Sequence, residues 1–211
     1  MSQRFAVSIK GVLFYRGRHL LRKNQRNEFE LLGGRLEITD KSAEDRVIQE
    51  FMEESGIKVK VTAQREPWLY VIGKKNVIII PFICSPIDIP DLLNDEDGGE
   101  LEWVASDELD LINMPHGYID TIKNKIPRKS FSPVEGDFFK IIPNYAETDY
   151  YVKIVVKNIN GEVLVDGSLS HFMTPRDFVQ RNINLPVNVE NLYYSGISHE
   201  NDIVSLNYIL Y

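Results

Sequence analysis

The chain has 211 residues, enough for one large domain or two small ones, and its 43% hydrophobic and 26% charged content is that of an ordinary globular protein. A net charge of −7 argues against broad nucleic-acid or membrane-surface binding, which needs a basic face, but leaves room for a small, locally basic site. The single cysteine, Cys84, sits in the apolar run VIIIPFICS and reads as a core thiol; no apolar stretch is long enough to span a membrane and no leader pattern opens the chain, so a cytoplasmic location is expected.

Residues 4–9 (RFAVSI) and 12–15 (VLFY) read as a strand interrupted at Gly11, with 18–23 (RHLLRK) as its hairpin partner across Arg16-Gly17. Arg22, Lys23 and Arg26 then form a basic cluster, either a polar strand end or a phosphate contact. The apolar run NEFELL leads into Gly33-Gly34, and a loop follows. Ser42 is a candidate N-cap for an amphipathic helix whose stripe is Ala43, Val47 and Phe51 with Ile48 or Met52. Gly56 suits the left-handed position that ends it.

Three carboxylates of that helix, Glu50, Glu53 and Glu54, lie at i, i+3 and i+4 and stack on one face. Like charges so placed repel at roughly 0.2–0.5 kcal/mol per pair. A divalent cation would remove the penalty, and oxygen-only donors point to Mg²⁺ or Mn²⁺ rather than zinc. The competing reading is a solvated acidic helix face.

The stretch GGRLEITDKSAEDRVIQEFMEESGI resembles the box of the Nudix hydrolase family, G-x5-E-x7-R-E-U-x-E-E-x-G-U, where U is a bulky aliphatic residue. QEFMEESGI matches its second half except that Gln49 stands where the family has arginine. The loop is one residue longer, so the family's loop glutamate maps only to Asp40, and Leu32 replaces a common proline. The resemblance covers residues 1–126 and implies an α/β (α+β) fold, an α/β/α sandwich with a mixed sheet. It further implies Mg²⁺- or Mn²⁺-dependent hydrolysis of a pyrophosphate bond in a nucleoside diphosphate linked to another moiety. Glu50, Glu53 and Glu54 are then the catalytic residues and metal ligands, with Glu50 a ligand or the base. Gly33, Gly34, Glu30, Arg22 and Arg26 contact the substrate, with Phe29 a weaker candidate beside them.

Beyond the helix, runs 57–72 and 76–85 are strand-like, and the second is apolar enough to be covered on both faces. Residues 86–98 form an acidic loop. Trp103-Val104 resembles the family's E-x-x-W-V strand, and Glu96, Asp97, Glu100 and Glu102 are candidates for a further acid of the site. Ser106-Asp107-Glu108 is expected to open a short helix, and MPHGYIDTI a second, with His116 at a surface turn.

At 127–136 two prolines mark a linker, and 137–211 is expected to form a small β-rich accessory domain. It should contain a hairpin around Asn160-Gly161, a helix capped by Thr174 with Pro175 at its first position, and a closing strand pair around the SHEN turn. Its tyrosines, among them Tyr145, Tyr150, Tyr194 and Tyr208, suit a core or interface better than base stacking. Dimerisation is favoured over ligand specificity as its role. The expected partner is a small nucleotide derivative, with no membrane and no long nucleic acid. The alternatives are a nucleotide sensor without turnover, which the Gln49 departure motivates, and a scaffold protein.

Overall fold

The computed structural model describes residues 3–91, 93, 98–132, 149–183 and 189–211. β1, Arg4–Tyr15, runs unbroken through Gly11. The interruption expected there is absent because the glycine makes room rather than a turn: a Cβ on it would lie 2.2 Å from the Phe51 ring. β2 (Arg18–Lys23) returns across the Arg16-Gly17 turn, and β3 (Phe29–Glu30) pairs with it. Helix α1 (Ala43–Ser55) starts where expected: the Ser42 side chain accepts from Asp45 N–H, and Gly56 closes the helix at φ 69°.

The expected strand 57–72 is two strands, β4 (Lys58–Gln64) and β5 (Trp68–Ile72), parted by Arg65-Glu66-Pro67. β6 (Lys75–Asp88) then runs parallel to β1, Ala6–Leu13 against Val77–Cys84. β7 (Glu100–Ala105) pairs with β2. The helix expected at Ser106 does not form. Residues 106–111 are turns, because the Glu108 carboxylate takes the Ala105 N–H and its own N–H bonds back to the Ala105 carbonyl. Helix α2 (His116–Ile122) follows with His116 exposed at its start, then β8 (Ser130–Ser132).

Side-chain alternation along the strands divides the interior in two. On one face Val7, Ile9, Leu69, Val71, Ile78 and Ile80 pack with Val47 and Phe51 of α1. On the other, Ala6, Val12, Trp68, Tyr70, Val77 and Ile79 pack with Tyr118 and Ile119 of α2. The helix–sheet–helix layering and mixed sheet are those expected. Truncating a fully buried side chain such as Phe51 to alanine costs about 3–5 kcal/mol.

The C-terminal strands continue the same sheet. β9 (Asp149–Asn158) lies antiparallel to the start of β1, with β10 (Val163–Ser168) on it across the Asn160-Gly161 turn. Helix α3 (Pro175–Asn182) has the expected Thr174 cap, completed as a capping box by Asp177. β11 (Leu192–Glu200) and β12 (Ile203–Leu210) form the closing pair. Strand structure runs through Ser198-His199-Glu200, so the turn is Asn201-Asp202 rather than SHEN. The order is β11-β12-β9-β1-β6-β5-β8. Tyr150, Val152, Ile154, Phe178, Val204, Leu206 and Tyr208 belong to the same buried cluster as Val47 and Phe51.

Candidate active site

The segment from Leu32 to Leu36 lies along the free edge of β1. Gly11 N–H donates to Leu32 O (2.9 Å), Ile9 N–H to Gly34 O (2.8 Å) and Leu36 N–H to Val7 O (3.0 Å). Two glycines are needed here. Gly33 has φ 129°, and a Cβ on it would stand 2.2 Å from Ile9 O. A Cβ on Gly34 would stand 1.9 Å from Glu50 Oε1. The absence of side chains lets α1 bring its carboxylates against this backbone.

Glu50 and Glu54 are 6% and 4% exposed, one turn apart on α1, and both line a cavity of about 840 Å³. Glu54 Oε2 accepts the Gly33 N–H at 2.7 Å, and its Oε1 is 3.4 Å from Arg22 Nε. Glu50 accepts from Arg46, one turn back on α1. Lys10 of β1, 5% exposed, lines the same cavity. Its Nζ donates to Gly33 O at 2.6 Å and is 3.7 Å from Glu30. Burial pushes the Glu54 carboxyl up to about 7 against the opposing pull of Lys10, the Gly33 N–H and Arg22. Burial likewise raises Glu50, against Arg46 and Lys10.

The wall opposite α1 carries a second buried carboxylate network. Glu28 accepts from Arg26 Nε (2.9 Å), the Tyr70 hydroxyl (2.7 Å) and the Ser132 hydroxyl (2.9 Å), and Arg26 is also 3.9 Å from Glu30. Glu28 thus fixes the Arg26 guanidinium against the cavity wall. Farther along, Arg35 and Lys75 line the cavity and both meet Asp149, at 3.1 and 3.3 Å.

Of the residues expected at the site, Glu50, Glu54, Gly33, Gly34, Glu30, Arg22 and Arg26 all line this one cavity. Glu53 does not. Its Oε1 accepts from Gln49 Nε2 at 2.7 Å on the exposed side of α1. Phe29 packs against the core beneath α2. Among the further acids considered, Glu100 lines the cavity, paired with Lys23 at 3.5 Å. Glu102 is exposed on β7, and Glu96 and Asp97 lie outside the described residues. Lys10, Arg46, Glu28, Arg35 and Lys75 were not anticipated. A lysine inside the apolar strand RFAVSIKGVLFY and an arginine four residues before Glu50 were the available signals.

Among the described residues no three acidic, histidine or cysteine side chains are gathered closely enough to hold a metal as they stand. The Glu50–Glu54 pair nevertheless suits a hard divalent ion. It offers buried carboxylate oxygens against a backbone stripped of side chains, and burial leaves both carboxyls above their ordinary range, so their negative charge is short of compensation.

No sequence-family profile matches the chain, and no curated protein does. Solved structures do. A MutT NUDIX hydrolase from Burkholderia pseudomallei superposes with a TM-score of 0.50 at 19% identity, over 58% of this chain and 98% of that one. A NUDIX hydrolase from Nitrosomonas europaea gives 0.49 at 15% identity, over 63% and 81%. Over somewhat more than half of its length, therefore, the chain has the fold of the Nudix hydrolases.

Proposed function

We propose that the chain is a Nudix-type pyrophosphohydrolase, cleaving a nucleoside diphosphate linked to another moiety with Mg²⁺ or Mn²⁺. One observation carries this reading. Two buried, undercompensated carboxylates on α1 face a cavity whose other walls present Lys10, Arg22 and Arg26. Arginine forks suit phosphate oxygens, and the cavity is sized for a small ligand rather than a polymer.

Glu50 and Glu54 would hold the divalent ion, which when bound supplies charge neutralisation at the phosphates and Lewis acidity toward the attacking water. Glu53 would join them only by leaving Gln49. Arg22 and Arg26 bind phosphate oxygens and orient the diphosphate. Gly33 and Gly34 let the backbone approach it without a side chain between. Lys10 anchors the Gly33 carbonyl and keeps that backbone fixed while charge moves. The proton lost by water is taken at a carboxylate oxygen of the glutamate pair. Water adds to one phosphorus, the bridging P–O bond breaks, and two phosphate monoesters leave.

A second reading, a nucleotide sensor without turnover, is favoured by one fact. Both glutamates already have partners, in Arg46, Arg22 and the Gly33 N–H. A nucleotide panel with Mg²⁺, read by mass spectrometry of products, separates the two. Turnover lost in Glu50→Gln and in Glu54→Gln supports the hydrolase. Tight binding with no turnover supports the sensor, and turnover retained in both variants overturns the assignment of these glutamates.

A further inference from the structure

The edge of β1 that faces away from β6 is shared end to end by two distant pieces of chain. β9 occupies it beside Arg4–Ala6, with Asp149 opposite Ala6. The segment 32–36 occupies it from Val7 to Gly11, with Arg35 opposite Ser8. The two pieces abut, and at the joint the Tyr150 hydroxyl donates to the Leu36 carbonyl at 3.0 Å. Both residues are fully buried. Burial, with Glu37 and Asp40 nearby, pushes the phenol up to about 12, so it remains a donor at neutral pH. Two further contacts from the C-terminal strands reach the same loop: Asp149 to Arg35 at 3.1 Å, and His199 Nε2 to the Asp40 carbonyl at 3.1 Å. The helix contributes no such hold through residue 49, because Gln49 is exposed and bonded to Glu53.

We infer that Tyr150 is a positioning residue for the candidate active site: its hydroxyl, supported by Asp149 and His199, fixes Leu36 and through it the Gly33-Gly34 backbone against Glu50 and Glu54. The word "active" rests on the function proposed above; the hold on the loop does not. The fit it protects is tight, since Gly34 has no room for even a Cβ beside the Glu50 carboxylate. A Leu36 carbonyl deprived of its donor is a buried acceptor with no water to turn to, and the loop moves to recover a partner. The C-terminal strands then form part of the catalytic scaffold instead of an appendage to it.

Tyr150→Phe in the full chain keeps the ring and removes only the O–H. Hydrogen–deuterium exchange is expected to rise about tenfold or more over residues 32–42, with β12 and the second half of α1 unchanged. On a substrate found in the panel, kcat should fall roughly 10–100-fold with KM little altered, because misplaced backbone spoils geometry more than binding. Asp149→Asn should move the same segment to a smaller extent. Unchanged exchange over 32–42 in both variants overturns the inference. So does a uniform rise across the whole sheet with normal kcat per folded molecule, which is the signature of a residue that merely contributes to the core. If wild type turns over nothing and exchange still rises in that segment alone, the positioning role stands and the hydrolase reading falls.

Discussion

Replacing Lys10 with methionine roughly keeps the length of the side chain and deletes its charge from the cavity wall. Lys10 is 5% exposed, bonded to Gly33 O at 2.6 Å and 3.7 Å from Glu30, and it holds Glu50 and Glu54 down against their burial. The Lys10–Glu30 attraction alone is about 4 kcal/mol before desolvation at an effective dielectric constant of about 20. What is lost is less than the gross sum, but the buried Glu50 and Glu54 and the half-buried Glu30 are left with one cation fewer, and breaking such a cluster costs about 3–5 kcal/mol. For a chain of this size that is a fall of about 10 °C in midpoint. The sign of the pH dependence follows from the glutamates. Glu54 titrates near 7 in the folded state against an ordinary 4.5, so the native protein holds that proton more tightly than the unfolded chain. Its contribution is most favourable below about 4.5 and is lost as pH rises through about 7. Removing Lys10 pushes both carboxyls higher still. The gap between Lys10→Met and wild type, measured by thermal and urea unfolding in chelator, should therefore be small at pH 4.5 and widest at pH 8. A gap equal at the two pH values, or a midpoint within about 2 °C of wild type at pH 8, refutes the assignment of Lys10 as the counter-charge.

Gly34→Ala places a methyl where Glu50 Oε1 now sits, so the carboxylate must swing away; turnover should fall about 100-fold while the midpoint changes little, and wild-type turnover would show that the Gly34–Glu50 contact is dispensable. Gln49→Arg should leave the rate within about twofold, because position 49 is exposed and the loop is held from β9 and β11; a rise of tenfold or more would mean that loop docking limits the wild type. Arg176→Met breaks the two-pronged pair with Glu66 (3.0 and 3.2 Å) and the bond to Leu192 O (3.0 Å), leaving a part-buried carboxylate without its cation. It should cost about 3–5 kcal/mol in urea unfolding, with part of it returned by adding Glu66→Met; no loss would place the pair among inert surface bridges.

What could be read from the chain was whatever is contiguous in it. The Gly33-Gly34 turn, the Ser42 cap, the α1 stripe and the Gly56 stop follow from spacing over a few turns, whereas the nearness of Arg22, Arg26 and Glu30 to Glu50 and Glu54 was legible only through the resemblance to the Nudix box. What could not be read is set by strand register between distant segments. Lys10 reaches the glutamates because β1 carries the loop on its edge, and Asp149 meets Arg35 and Lys75 because β9 enters the sheet beside Ala6. Backbone edge pairing leaves no local mark in a sequence. Glu53 shows the limit of helix geometry. The i, i+3, i+4 spacing gives three carboxylates one broad face, but the cavity meets only the stripe of Glu50 and Glu54, and Gln49 competes for the third. At Ser106 a good capping residue was overruled by the Glu108 side chain, which satisfies the Ala105 N–H in a turn.

The charge of the cavity departs from that of the chain. Lys10, Arg22, Lys23, Arg26, Arg35 and Lys75 line it against Glu30, Glu50, Glu54 and Glu100, with Glu28 behind Arg26 and Asp149 beside Arg35 and Lys75, so cations and carboxylates come close to balance there in a chain of −7. Walls of low dielectric concentrate such a field inside the cleft, whereas the exterior repels polyanions. Under the proposed function Glu50 and Glu54 would hold a divalent ion, and its charge would make the cavity more positive. Under the proposed function a short, multiply charged anion brought in with its cation would be drawn into the cleft, while a long polyanion would meet the repulsion of the chain's net negative charge. Any selectivity of the proposed hydrolase for small phosphorylated ligands would then rest on the contrast between cavity and surface, and on the same β1 lysine that holds the Gly33 backbone in place.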